Sequence, residues 1–388
     1  MRPFPLARAI GALAALALIG AVVVFSMLPP PPSAANPPPI PSAETARTLA
    51  ALRPPKRARP VIAVIGLNDA TETTDYLMPM SVLRRADVGE VWALAVTPGP
   101  VRLYPALAVL PDATIAEFDE RFPDGADYVI VPAMSRDDNA AVLAWIRRQA
   151  ERGAVVIGVC AGARVLANTD LLDGRDATTH WYFLRGLRKT HPDVRYVKDR
   201  RFVVDGRFVT TTGITASLPM SLTLVEAIAG RPRAEAVART LGLAGWDARH
   251  DSSAFRFNRR FASTVIGNRL RFWTHETLGV GLQPDLDTVA LALAADAWSR
   301  TYRSRAQSYG ASREPVVTRD GVRVIPDQVG APRARRQVSL AGGTAAAVLN
   351  RTLADIGGRY GAGTAEVVAM QLEYPTPASG GRDGASDS

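Results

Sequence analysis

Cys160 is the only cysteine in a chain of 388 residues, and its neighbours make it the residue best placed to do chemistry. It follows the apolar run Val155-Val156-Ile157-Gly158-Val159 and precedes the helical stretch Ala163 to Asn168, with Gly158 and Gly162 two residues to either side. A strand that turns sharply into a helix needs small residues at the bend, and it projects the residue at its apex from the C-terminal edge of a sheet. A thiol held there faces the positive end of a helix dipole. The spacing therefore predicts a nucleophile with a pKa below the free value of about 8.5. A lone cysteine excludes an intrachain disulfide and any cysteine-rich zinc site, and the four histidines show no ligand spacing, so neither a metal nor another cofactor is expected.

The elements that must hold this turn are legible as continuous apolar runs. Val61 to Ile65, Val91 to Val96, Tyr128 to Val131 and Val155 to Val159 suit strands buried on both faces. They alternate with helical stretches such as Ala140 to Glu151, the βαβ order of a parallel sheet in an α/β fold. Asp205-Gly206 between two β-rich runs predicts a type I′ hairpin. A helix is expected from Ser217 to Ala229, stopped by Gly230.

Gly158-Val159-Cys160-Ala161-Gly162-Ala163, with Leu166-Ala167, Gly174 and Ala177-Thr178-Thr179-His180-Trp181, resembles the ThiJ/PfpI family. The similarity is to the branch found as sensor domains in AraC-type regulators and in isocyanide hydratases. It runs from Val61 to about Gly230 and includes Leu77 to Arg85 and Val109-Leu110-Pro111-Asp112. The resemblance implies a doubly wound, flavodoxin-like parallel sheet with a cysteine nucleophile elbow. It also implies a carboxyl four residues before the first-helix proline, which is Asp75 before Pro79, meeting the sulfur as hydrogen-bond donor or base. Glu72 is the alternative partner, and a plain solvated residue at the helix start is the competing reading of Asp75. His180 matches a histidine that many relatives hold near the sulfur; a packed core histidine is the competing reading. Ala161 is expected to supply an oxyanion N–H. Where relatives have two glycines after the third strand, this chain has Ala133-Met134, so Ala133 can still offer its N–H while Met134 narrows the pocket. The related class I glutamine amidotransferases require a His-x-Glu pair; none occurs here, and His275-Glu276 are adjacent.

Residues outside this region divide by composition. Ile10 to Leu28 are nineteen residues without a charge, preceded by Arg2 and Arg8. A bilayer core needs roughly 20 apolar residues, so 1–28 reads as one transmembrane helix, an inner-membrane anchor with the remainder outside the cytoplasm. A cleaved signal peptide ending near Ser33-Ala34-Ala35 is the alternative. Residues 29–60 carry eleven prolines and read as an extended spacer. Residues 376–388 read as a disordered Gly/Ser/Asp tail.

Residues 231–375 read as a mainly helical region that echoes the first. Pro315-Val316 before Val324-Ile325-Pro326-Asp327 repeats Pro100-Val101 before Val109-Leu110-Pro111-Asp112 at the same spacing, and Ala365 to Leu372 echoes Ala234 to Leu241. The interval between the two echoed parts is too short for a second elbow, so a truncated, non-catalytic repeat is expected. One expectation is that it packs where the partner of a homodimer would sit; an unrelated helical extension is the other.

The expected function is a cysteine-dependent enzyme, hydratase-, hydrolase- or glyoxalase-like, acting on a small electrophile. Cys160, Asp75 and His180 are its catalytic residues, and Ala161, Ala133 and Met134 shape its pocket. The alternatives are a ligand or redox sensor of the same fold, and an AraC-type regulator suggested by Val237 to Leu243 followed by Arg259-Arg260-Phe261. The net charge of +9 comes mostly from scattered arginines without interleaved aromatics, which argues against a nucleic-acid partner.

Overall fold

The computed structural model describes residue 20 and residues 25–31, 37–330 and 336–375. The strands of the first half are β1 (Val61–Gly66), β2 (Thr71–Glu72), β3 (Glu90–Ala95), β4 (Val101–Tyr104), β5 (Ala108–Leu110), β6 (Ala113–Thr114), β7 (Tyr128–Val131), β8 (Val155–Gly158), β9 (Asp176–Ala177), β10 (Arg195–Tyr196), β11 (Phe202–Asp205) and β12 (Phe208–Thr211). The main sheet has the order β11-β12-β8-β7-β1-β3-β6. It is parallel except for β11, which closes one edge in a hairpin with β12. That hairpin forms as expected, but Gly206 has φ +61° and Arg207 does not have a positive φ, so the turn is not the expected type I′.

The helices are α1 (Ser42–Ala51), α2 (Thr73–Ala86), α3 (Ile115–Arg121), α4 (Ala140–Glu151), α5 (Gly162–Ala167), α6 (Trp181–Thr190), α7 (Ser217–Ala229) and α8 (Arg231–Leu241). Because side chains alternate across a strand, Ile62 and Val64 of β1 face α2 and α7, packing with Tyr76, Leu83, Leu222 and Val225. Val61, Ala63 and Ile65 face α3 and α4, packing with Phe118, Trp145 and Ile146. Helices therefore cover both faces, as the doubly wound reading requires. Gly230, at φ +83°, ends α7 where the sequence places the stop.

The described residues 37–60 are not the extended spacer their prolines suggest. Proline sits before and after α1 but not inside it, so Ser42–Ala51 forms a helix. Leu52 is fully buried, its carbonyl accepts from the Tyr128 hydroxyl at 2.7 Å, and Glu44 pairs with Arg200 at 2.6 Å. Among the described residues no helix is long and apolar enough to cross a membrane. Apart from Gly20 and residues 25–28, the expected span 10–28 lies outside the described residues, as does the expected tail 376–388.

The second half is less helical than expected. It contains α9 (Arg259–Leu270), β13 (Glu276–Gly281), α10 (Thr288–Ser299), β14 (Ser304–Gly310), β15 (Val316–Val317), β16 (Arg323–Val324), β17 (Gln328–Val329), α11 (Ala345–Tyr360) and α12 (Ala362–Leu372). β13-β14-β17 form a parallel sheet with α10 as the crossover, and β15-β16 pair through β16 with β5 to extend the β4-β5 hairpin. Within this region, expected to be mainly helical, α9 ends at Leu270 and the chain enters β13 at Glu276. Its Thr277-Leu278-Gly279-Val280 pairs residue by residue with 305–308, so tertiary pairing overrides local preference. α8 and α9 are separated by residues 242–258, far longer than the three- or four-residue turn of a DNA-reading helix pair.

Candidate active site

Cys160 sits at the apex between β8 and α5 with φ +59°, a left-handed conformation that side-chain-bearing residues seldom adopt. Two hydroxyls hold it there. The Cys160 N–H donates to Thr211 Oγ1 at 3.0 Å, and Thr179 Oγ1 donates to the Cys160 carbonyl at 3.0 Å. Gly162 is required by close approach, since a Cβ there would lie 2.0 Å from the Val131 carbonyl oxygen.

Asp75 enters from the first turn of α2 and is fully buried. Its Oδ2 accepts the Ala133 N–H at 3.1 Å, while Oδ1 has no partner of good hydrogen-bond geometry. The thiol nevertheless lies close enough for an interaction between the two side chains to weigh on the carboxyl's titration. Burial pushes Asp75 up to about 7, against the pull of the Ala133 N–H, Arg300 and the thiol. Glu72 does not compete for the sulfur. It caps α2, accepting the Asp75 N–H at 2.6 Å and the Thr74 hydroxyl at 2.9 Å, and it pairs with Arg300 at 2.6 Å. Arg300 also holds Asp296 at 2.6 Å. Glu72 and Asp296 thus share one largely buried cation, whose charge also acts on Asp75 without contact. Burial pushes Glu72 and Asp296 upward as well, so the group titrates as a coupled set.

The thiol departs from the sequence expectation. Burial, then Asp75, Glu72 and Glu373, push Cys160 well above its ordinary range, against the pull of the Ala161 N–H. The helix after the elbow is six residues long, so its dipole is small beside these influences. The Ala161 N–H is directed at the sulfur itself. The Ala133 N–H is spent on Asp75, so it is no oxyanion donor. Met134 lines the pocket and is tied by its backbone to Thr71, without filling the space.

His180 is close by but has no free nitrogen. Nδ1 accepts the Tyr182 N–H at 3.1 Å, which leaves Nε2 protonated and donating to the Gln371 carbonyl at 3.0 Å. Burial depresses its pKa to about 4, so the ring is neutral and caps α6. It frames the pocket; it is not poised to carry a proton as expected.

The pocket over Cys160 measures about 440 Å³ and is walled by Trp181, Tyr182, Phe183 and Ile214. Phe261, Arg300, Tyr302 and Gln371 close it from the second half. Sequence reasoning missed these four, and it missed Glu373, whose carboxylate accepts from Trp181 N–H at 2.7 Å and Gly213 N–H at 2.8 Å. Nothing in the local sequence marks them. The one available signal is the echo itself, which would have directed attention to what a second copy brings to the first. Among the described residues no cluster could hold a metal ion.

A doubly wound parallel sheet carrying a strained cysteine at a strand-to-helix turn, opposite a buried carboxyl, defines a cysteine-elbow α/β protein. Residues 61–227 match the model of the DJ-1/PfpI family, and this part of the chain is a DJ-1/PfpI domain. The chain is 27% identical over 237 residues to the HTH-type transcriptional regulator CdhR of Pseudomonas aeruginosa, covering 60% of this chain and 66% of the regulator. It is 39% identical over 100 residues to the isonitrile hydratase of Pseudomonas putida, covering 26% of this chain and 42% of the hydratase. The crystal structure of Drosophila melanogaster DJ-1beta aligns with a TM-score of 0.43 at 25% identity, covering 48% of this chain and 99% of that one. The chain thus spans just under two thirds of the regulator and less than half of the hydratase.

Proposed function

We propose that the protein is a cysteine-dependent enzyme that adds water to a small, largely apolar electrophile. The observation that carries this reading is a strained Cys160 beside a buried Asp75 whose pKa is close to neutrality, at the floor of an aromatic-walled pocket. At neutral pH such a carboxyl is divided between its two forms, which suits a group that must both take and return a proton. As sulfur bonds to the electrophilic carbon, Asp75 takes the thiol proton and returns it to the atom that gains electron density. Water then displaces sulfur, and the thiol recovers its proton. The sum is addition of one water molecule, without oxidant or reductant. Similarity to an isonitrile hydratase supports this reaction class. Similarity to an HTH-type transcriptional regulator favours a regulatory role as the second reading, but the long segment between α8 and α9 gives no support to DNA reading by that pair.

The test is turnover of a panel of isonitriles, amides and 2-oxoaldehydes by the full chain. We expect hydration of at least one class, lost by 10²-fold or more in Cys160→Ala, together with stoichiometric labelling of Cys160 by iodoacetamide in the folded protein. A thiol that labels only after denaturation would remove the basis for the reading. We further place this activity outside the cytoplasm, on the strength of the uncharged segment 10–28 and the arginines before it. An alkaline phosphatase fused after Pro60 should be active, and an inactive fusion would reverse the topology.

A further inference from the structure

β1 and β13 begin 215 residues apart, at Val61 and Glu276. The same separation relates Glu72 to Asp287, Thr73 to Thr288, Arg85 to Arg300, Val109 to Val324 and Ala113 to Gln328. Equivalent residues do equivalent work. Glu72 caps α2 and Asp287 caps α10, through the N–H groups of Asp75 at 2.6 Å and Ala290 at 2.9 Å. Asp112 braces β3 by accepting the Ala93 N–H at 2.7 Å, and Asp327 braces β14 by accepting the Ser308 N–H at 2.8 Å.

The two units meet with equivalent positions facing each other. Val109 lies opposite Val324 in the antiparallel pairing of β5 with β16. Arg85 reaches across to Asp287 at 2.9 Å, and Arg300 reaches back to Glu72 at 2.6 Å. Contact of i with j matched by contact of j with i is the geometry of an isologous two-fold interface. The second unit lacks the reactive carboxyl, because Ala290 stands where the first has Asp75, and its β17 leads to α11 without an intervening cysteine elbow.

We infer that residues 276–375 occupy the place of a partner subunit, and that Arg300 is the positioning residue this internal partner delivers, fixing where the proton resides in the Asp75–Cys160 pair. The meaning of this inference rests on the proposed reactive role of that pair, but its test does not require the thiol to react. The groups that bear on Asp75 are Glu72 on its own element, Cys160 from the elbow with Glu373 beyond it, Asp296 and Arg300 from α10 and the loop after it, and the Ala133 N–H. Arg300 is the cation among them, and its neutralisation should favour the protonated carboxyl.

The experiment is a pH titration of the Asp75 carboxyl by NMR in full-length protein carrying carboxyl-labelled aspartate, with the signal assigned by its absence in Asp75→Asn. Arg300→Gln and Arg300→Met should move the titration upward by about one pH unit or more, and Arg300→Lys should restore most of the shift. Arg85→Met is the control, since it removes the mirror-image ion pair from the same interface and should leave Asp75 within a few tenths of a unit. Equal shifts in the Arg85 and Arg300 variants, or no shift in either, would overturn the inference. Sedimentation of the wild-type chain supplies a measurement independent of any variant's folding. A monomer is expected, whereas a homodimer protected from hydrogen exchange along α2 would show that the internal unit is no substitute for a partner.

Discussion

Asp75→Asn should speed the alkylation of Cys160 while abolishing turnover, two effects of opposite sign from one substitution. Above pH 7 the wild-type carboxyl is increasingly ionised, and together with burial and Glu72 it holds the thiol in its protonated form. Removing that charge lowers the thiol pKa. A one-unit change would raise the rate of iodoacetamide labelling at pH 8 by about tenfold, since the rate follows the thiolate fraction. Turnover loses its proton carrier instead and should fall by about 10²-fold or more. The wild-type alkylation rate should climb steadily through pH 8 with no plateau below it. A plateau below pH 8, or slower labelling of Asp75→Asn, would mean that the carboxyl promotes the thiolate. Stability gives a second reading of the same group. The folded pKa of Asp75 lies above its ordinary value of 3.8, so its contribution to stability is fully present below that pH and is lost as pH rises through about 7. Asp75→Asn should therefore flatten the fall in denaturant midpoint between about pH 4 and 7, whereas an unchanged slope would remove Asp75 as the source of the fall.

Gly162→Ala should destabilise the protein by about 3 kcal/mol, among the largest effects of a single methyl group in the chain. The added carbon would meet the backbone carbonyl of Val131 in the adjoining strand rather than a movable side chain, so relief requires β7 or α5 to shift. Because β7 leads into Ala133, which holds Asp75, the shift would also disturb the acid. Gly358→Ala in α11 is the matched comparison: nothing lies within 4 Å of its added carbon, and a glycine-to-alanine change inside a helix should stabilise by about 0.5–1 kcal/mol. Urea unfolding of both variants decides the matter. Equal midpoints would show that the elbow tolerates the extra volume.

The first half was legible because its signals are local. Continuous apolar runs marked β1, β7 and β8, the glycines around Cys160 marked the elbow, and Gly230 marked the end of α7. Asp75 could be named only through resemblance, since nothing in Thr73-Thr74-Asp75 announces a residue that will be fully buried. The loss of Ala133 as an oxyanion donor was illegible, because an N–H carries no mark of which acceptor will take it. His180 was misjudged for a similar reason: its two nitrogens are consumed by Tyr182 and by Gln371, the latter far away in sequence. Arg300 and Glu373 belong to the same class of residue, brought to the site by helices that the chain reaches only after the elbow is complete. The strands of the second half were missed because β13 and β14 are rich in glycine and serine, residues poor in strand preference, and gain their order from pairing with each other.

The reciprocal pairs Arg85–Asp287 and Arg300–Glu72 have a genetic consequence. In an assembly of identical subunits every mutation is made twice, so a change that improves one contact is imposed on its symmetry mate. A single gene that encodes both sides is free of that constraint. Arg300 can be selected for what it does beside Glu72 while Arg85 is selected for holding Asp287 and Asp320, and the residue equivalent to Asp75 can drift to alanine without harm to the site that keeps it. Duplication within one chain thus lets two surfaces that began as equals take up different duties, one retaining the reactive groups and the other serving them.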